Sequence, residues 1–166
     1  MSKSIIMLKW LWVTAVVVLV DLYTKSVASD LLILHQPVNI FAGFNFTLMH
    51  NTGAAFSFLS DAAGWQRWFF SIVAIVVSAI IVLWLKKLSN DQVWLAIALA
   101  LILGGAVGNV YDRLTLGYVV DFIDVYYGSA HWPAFNIADS AISVGAVMFI
   151  IDAIRNPKQS DSVESS

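Results

Sequence analysis

Residues Trp68–Leu85 read WFFSIVAIVVSAIIVLWL, 18 consecutive residues without a charge, with Arg67 before them and Lys86 and Lys87 after. As an α-helix this stretch is about 27 Å long, at roughly 1.5 Å per residue. That nearly matches a bilayer hydrocarbon core of about 30 Å. Three further blocks follow the same pattern on either side. Trp94–Val110 holds only Asn109 as a strongly polar residue, and Ile137–Ile154 carries Asp139 near its start and Asp152 near its end. Ile5–Val20 is interrupted by Lys9, which can snorkel to the interface, and Asp21 and Lys25 fall in the turns that follow. Those two charges sit where a cleaved secretory signal stays apolar or turns small and neutral, so this block too is read as a span.

Composition agrees. Hydrophobic residues make up 60% of the 166 and charged residues 12%, about half the usual charged fraction of a soluble domain. Mean hydropathy is +0.80. A net charge of −2 gives no reason to expect a nucleic-acid partner. With no cysteine, disulfides, thiolate metal sites and a cysteine nucleophile are excluded. The length suits one domain, taken as residues 1–155, followed by a polar, serine-rich, disordered tail at 156–166.

Basic residues set an expected orientation. With the N-terminus inside, the inner segments hold Lys3, Lys9, Lys86, Lys87, Arg155 and Lys158, against Lys25, Arg67 and Arg113 outside. Both termini are therefore expected in the cytoplasm. The outer segments are then roughly 26–66 and 113–136. In the second, Gly117–Tyr127 reads as a strand, with Val119, Asp121, Ile123 and Val125 on one face.

Ionisable groups at membrane depth are costly and are functional candidates. In this topology Asp21, Lys25, Asn109, Asp112, Arg113, Asp121, Asn136 and Asp139 gather at the outer face, delivered by four parts of the chain. Helix ends meeting water would also carry polar groups, but the inner ends carry mainly lysine and arginine. Asp121 lies among apolar neighbours, which raise a carboxyl pKa. Asp139 lies in the first turn of the last helix, after the N-cap candidate Asn136, where the helix N-terminus favours the carboxylate. Brought together, such a pair can share one proton and act as acid and base on a peptide bond. Asp124, on the other strand face, is read as a solvated surface residue, as are Asp30, Asp61 and Asp91 in loops. Asp152 is expected to pair with Arg155 or Lys158.

Other chemistries fit less well. His35, His50 and His131 lack paired metal-ligand spacing, and no Gly-x-Ser-x-Gly elbow occurs. Gly104-x-x-x-Gly108 is read as a helix-packing face. The competing class is a proton-coupled transporter using the same aspartates, but Trp68–Leu85 and Trp94–Leu103 contain no ionisable group. A structural partner subunit would not need paired aspartates at one level.

Five motifs in order carry a resemblance. They are Val20-Asp21-Leu22-Tyr23-Thr24-Lys25, His50-Asn51-Thr52-Gly53-Ala54-Ala55-Phe56-Ser57, Gly104-Gly105-Ala106-Val107-Gly108-Asn109-Val110-Tyr111-Asp112-Arg113, Val120-Asp121-Phe122 and Phe135-Asn136-Ile137-Ala138-Asp139-Ser140. Over nearly the whole chain except the tail, the sequence resembles the lipoprotein signal peptidase family, also called signal peptidase II. Leu22 departs from the glutamine common there. The resemblance implies an all-α membrane protein of four transmembrane helices with a small extracytoplasmic β-sheet cradle and a loop over the site. It implies a bacterial inner-membrane aspartic endopeptidase that removes signal peptides from diacylglyceryl-modified prolipoproteins, cutting before the lipidated cysteine near the outer leaflet. Asp121 and Asp139 match the family's catalytic dyad. Asp21, Lys25, Asn51, Gly53, Asn109, Asp112, Arg113 and Asn136 match its substrate-binding or supporting residues. No metal or cofactor is implied.

Overall fold

The computed structural model describes residues 7–53 and 65–156. The expected loop over the site, the Ala54–Ser57 part of the second motif, Asp61, Lys3, Lys158 and all of the expected tail beyond Asn156 lie outside the described residues.

Among the described residues, four helices are long and apolar enough to cross a membrane. A 3₁₀ turn at Met7–Trp10 runs into α1 (Leu11–Leu31), followed by α2 (Trp65–Lys87), α3 (Val93–Thr115) and α4 (Ile137–Arg155). Each is predominantly apolar and has no internal proline, so nothing breaks the backbone ladder. α1 extends well past the apolar block that predicts it. Asp21 and Lys25 are i,i+4 partners on its buried face, so their charges prolong the helix instead of ending it.

α3 is the central helix: 61% of its most apolar window is buried, against 17–22% for the other three spans. Its glycines explain the close packing. A Cβ on Gly104 would lie 2.7 Å from Val17 Cβ of α1, and one on Gly105 would lie 2.6 Å from Ile142 Cγ1 of α4. The small-residue face expected from the sequence is therefore a packing face on two sides. Away from the sheet, Met7, Ile81, Leu85, Leu95, Leu99 and Leu103 form the buried apolar core.

The four strands form one antiparallel sheet in the order β1 (Pro37–Phe41), β2 (Phe44–Asn51), β3 (Val119–Tyr127) and β4 (Ala130–His131). Connectivity places it at a single end of the bundle, where α1 and α3 finish and α2 and α4 begin. Gly43, with φ at +91°, makes the tight β1–β2 turn that only glycine adopts without strain. A ladder of rings, Phe41–Phe44–Phe46–Phe122, runs along the sheet at centroid spacings of 5.1, 5.1 and 6.2 Å. β3 is buried on both faces over Val119–Phe122, so its alternation does not divide wet from dry.

Candidate active site

Two connections bring Asp121 and Asp139 together. α3 ends in a turn at Gly117 (φ +90°), where the Leu116 and Gly117 amides both donate to the Asp112 carbonyl. The chain then enters β3, which carries Asp121. After β4 the chain runs back along β3: Trp132 N–H donates to Val125 O, and Phe135 pairs with Ile123. That return delivers Asn136 beside Asp121 and starts α4 there.

Asn136 is the hinge of the arrangement. As N-cap of α4 its side-chain oxygen accepts from Asp139 N–H at 2.9 Å, while its own N–H donates to Asp139 Oδ2 at 3.3 Å, a complete capping box. Its amide nitrogen donates to Asp121 Oδ1 at 2.7 Å, with Val120 O and Asn109 Oδ1 each at 3.2 Å. Two N–H bonds are thus spread over three acceptors. Asn109 of α3 donates to Asp139 Oδ1 at 2.7 Å, and Asn51 of β2 donates to Asp121 Oδ2 at 3.0 Å. Both aspartates accept on both oxygens, which fixes their orientation without neutralising either.

Their surroundings differ. Asp121 is 2% exposed. Burial, and then the neighbouring Asp139 carboxylate, push its pKa up to about 7, against the opposing pull of the Asn51 and Asn136 amides. Asp139 is half-buried in the first turn of α4, held in the capping box with Asn136.

Beneath the pair lies a buried ionic cluster. The Lys25 ammonium reaches Asp21 Oδ2 at 2.7 Å, Asp112 Oδ2 at 2.9 Å and Asn109 Oδ1 at 3.0 Å, which uses all three of its donors. Asp21 Oδ1 also accepts from Ala138 N–H of α4, and Asp112 Oδ2 from Val120 N–H of β3. One lysine thereby ties α1 and α3 to the residues immediately before each aspartate. Gly108 leaves room for this, since a Cβ there would lie 2.5 Å from Asp21 Oδ2. Removing one partner from such a buried set costs about 3–5 kcal/mol, because an unpaired charge is left behind.

Arg113 completes the outer edge. Its charge faces Asp139, Asp121 and Asp112. Its Nη1 donates to Asn109 O at 3.4 Å, and its guanidinium lies over the Phe70 ring at 5.4 Å. Gly53 N–H donates to Asn51 Oδ1, closing a small turn with φ +95° at Gly53. All ten residues singled out in the sequence thus fall within one connected cluster.

The expectation for Asp124 is overturned. It is 6% exposed and accepts from Asn45 Nδ2 at 3.1 Å, Thr47 Oγ1 at 2.9 Å and His131 Nδ1 at 2.7 Å. Burial works to raise its pKa, but the bonds from His131, Asn45 and Thr47 together hold it below the usual carboxylate range. Asn39 and Tyr126 extend this network across the sheet. Alternation along β2 puts Asn45 and Thr47 on one face. Only strand register shows that Asp124 sits opposite Asn45. Asp152 accepts from the Asn156 amide at 3.2 Å, and Lys158, one of its two expected partners, lies outside the described residues. Phe70, the remaining contact missed in the sequence, lies in a span where an aromatic side chain is ordinary.

The fold and site define a multi-span membrane protein whose candidate site is a pair of carboxylates at one end of the bundle. The family model described as signal peptidase (SPase) II matches residues 13–155. A lipoprotein signal peptidase of Pseudomonas putida is 52% identical over 158 residues, covering 94% of this chain and 92% of the relative. One from Teredinibacter turnerae is 55% identical over 151 residues, covering 91% and 90%. A solved bacterial membrane enzyme, determined by the in meso method at 2.3 Å, superposes with a TM-score of 0.79 at 29% identity, covering 91% of this chain and 90% of that one. The chain belongs to the signal peptidase II family.

Proposed function

We propose that the protein is an aspartic endopeptidase that removes signal peptides from diacylglyceryl-modified prolipoproteins, with Asp121 and Asp139 as its catalytic pair. The observation that carries this reading is the joint capture of both carboxylates by Asn136, with burial and the Asp139 charge pushing Asp121 up to about 7. One carboxyl neutral and one ionised at the same pH is the state an acid–base pair needs. The ionised carboxylate takes a proton from water as its oxygen attacks the scissile carbonyl carbon. The neutral carboxyl gives its proton to the carbonyl oxygen. Collapse of the tetrahedral diol breaks the C–N bond: the proton first taken from water passes to the leaving nitrogen, and one diol hydroxyl returns its proton to the carboxylate that protonated the carbonyl. Arg113 lies where it can hold the substrate carbonyl or developing negative charge.

The position of the site supports a lipidated substrate. The pair stands at the end of apolar spans, where α1, α3 and α4 meet the sheet, so a bond held at the bilayer surface reaches it while the lipid stays in the bilayer. Extracting such chains costs about 0.8 kcal/mol per CH₂. The test is a cleavage assay in detergent on lipidated and unlipidated precursor peptides. Wild type is expected to cut the lipidated peptide well and the other poorly. Asp121→Asn and Asp139→Asn should each lose at least about 10²–10⁴-fold, and the double variant no more than either alone. Equal cutting of both peptides would remove the lipid requirement. Near-normal cleavage by either folded variant would remove that aspartate from the mechanism.

A further inference from the structure

α2 carries no acidic residue, yet one of its side chains touches the candidate site on two sides. The Phe70 ring lies beneath the Arg113 guanidinium, 5.4 Å from guanidinium carbon to ring centroid. The ring's Cε2–Cδ2 edge lies against Gly53, where a Cβ would approach to 2.8 and 3.0 Å. Gly53 belongs to the turn that presents Asn51 to Asp121. Phe70 is itself well anchored. One turn earlier, Arg67 Nη2 donates to Leu114 O at 2.9 Å and pins the start of α2 to the end of α3, while Ser71 Oγ donates to Arg67 O at 2.7 Å. Phe69 packs edge-on against the ring at 5.4 Å.

The orientation of Arg113 needs such a support. Its described hydrogen bond is long, at 3.4 Å, and a contact at that limit holds a guanidinium weakly. Attraction to Asp139, Asp121 and Asp112 sets a direction for the charge but no orientation for the plane. An aromatic face within about 6 Å supplies one, because the ring quadrupole attracts the cation over its face. We infer that Phe70 is a positioning residue: its face holds the Arg113 guanidinium over the aspartate pair, and its edge seats the Asn51–Gly53 turn. The inference rests on the peptidase reading above, with Arg113 engaging the substrate carbonyl. It assigns α2 a part in the reaction that none of its polar residues reveals.

The test replaces Phe70 with phenylalanine carrying one, two or three ring fluorines, which drain the negative face while nearly preserving shape. The full-length enzyme in detergent, cutting a lipidated precursor peptide, should lose kcat stepwise with fluorination. The total loss should be about 10-fold, within the roughly 2- to 30-fold range of such contacts, with KM changing less than about two-fold. Phe70→Leu should lose a similar factor, and Phe70→Tyr and Phe70→Trp should recover most of it. A flat fluorine series overturns the inference, whether or not Phe70→Leu is impaired, since packing alone would explain that loss. The function reading is checked separately in the same assay. If wild type does not cut or Asp139→Asn does, that reading fails. If both behave as expected and the fluorine series is flat, only the role of Phe70 falls.

Discussion

At the scale of single residues, the amide side chains organise the candidate site. Asn136, Asn109 and Asn51 donate to carboxylates, and each is oriented by a second bond of its own: the α4 cap for Asn136, Lys25 for Asn109 and the Gly53 amide for Asn51. The bond from Asn51 has a definite sign. It favours the ionised form of Asp121, which burial and Asp139 otherwise oppose. Below about pH 7 Asp121 keeps its proton, and above it Asp121 is ionised and the acid is lost. Cleavage should therefore decline as pH rises through about 7. Asn51→Ala removes a group that lowers this pKa, so the alkaline limb should move to higher pH, read from initial rates across the pH range. An unmoved midpoint would show that the titrating group is not the one Asn51 touches. Asp124 gives a contrast in the same strand. Its three donors make Asp124→Asn a change in a buried network, so Asp91, exposed between α2 and α3, is the acidic position suited to a neutral control.

At the scale of elements, the closeness of α3 to α4 decides whether Asn109 reaches Asp139. Gly105 permits that closeness, since a Cβ there would strike the Ala138 carbonyl and lie 2.6 Å from Ile142 Cγ1. Gly145, lower on α4, does the same against α3, where a Cβ would lie 2.7 Å from Ala98 O. Overpacking of this kind costs about 1–3 kcal/mol. Gly105→Ala and Gly145→Ala should therefore lower the thermal midpoint in detergent by similar amounts. They should differ in activity, because Ala138 also donates to Asp21 and precedes Asp139. Folded Gly105→Ala should lose cleavage by more than its stability loss explains, and folded Gly145→Ala should keep most of it. Equal specific activities would mean that α4 moves as a rigid whole.

At the scale of the molecule, every helix end on the sheet side brings polar groups, while the opposite ends bring Lys9, Lys86, Lys87 and Arg155. This asymmetry supports an orientation with the basic end in the cytoplasm. A reporter fused after Pro157 is expected to be active only when it requires the cytoplasm. A signal from a reporter that requires the far side would overturn that orientation, and with it the placement of the site at the outer leaflet. Among the described residues the charged side chains collect near the two ends, leaving the middle of α2 and the first half of α3 apolar. That arrangement suits a reaction at the membrane surface better than passage across it.

The four spans were legible in the sequence, because an apolar run of membrane length without charge has few alternatives in water or lipid. The N-cap at Asn136 and the packing role of Gly104 and Gly108 were legible as well, since capping and close approach depend on local residue types. The clustering of polar groups at one end of the spans named eight of the ten site residues and the family resemblance added Asn51 and Gly53, but no spacing in the chain could have joined Asp21 to Ala138 or Asn51 to Asp121. Those bonds span 117 and 70 residues and exist only once the helices pack. Period-2 alternation failed for Asp124 because β3 is covered on both faces, so alternation no longer separates core from solvent. Phe70 was invisible for the opposite reason: in an apolar span one more aromatic carries no signal, and only tertiary packing placed Arg113 over its ring.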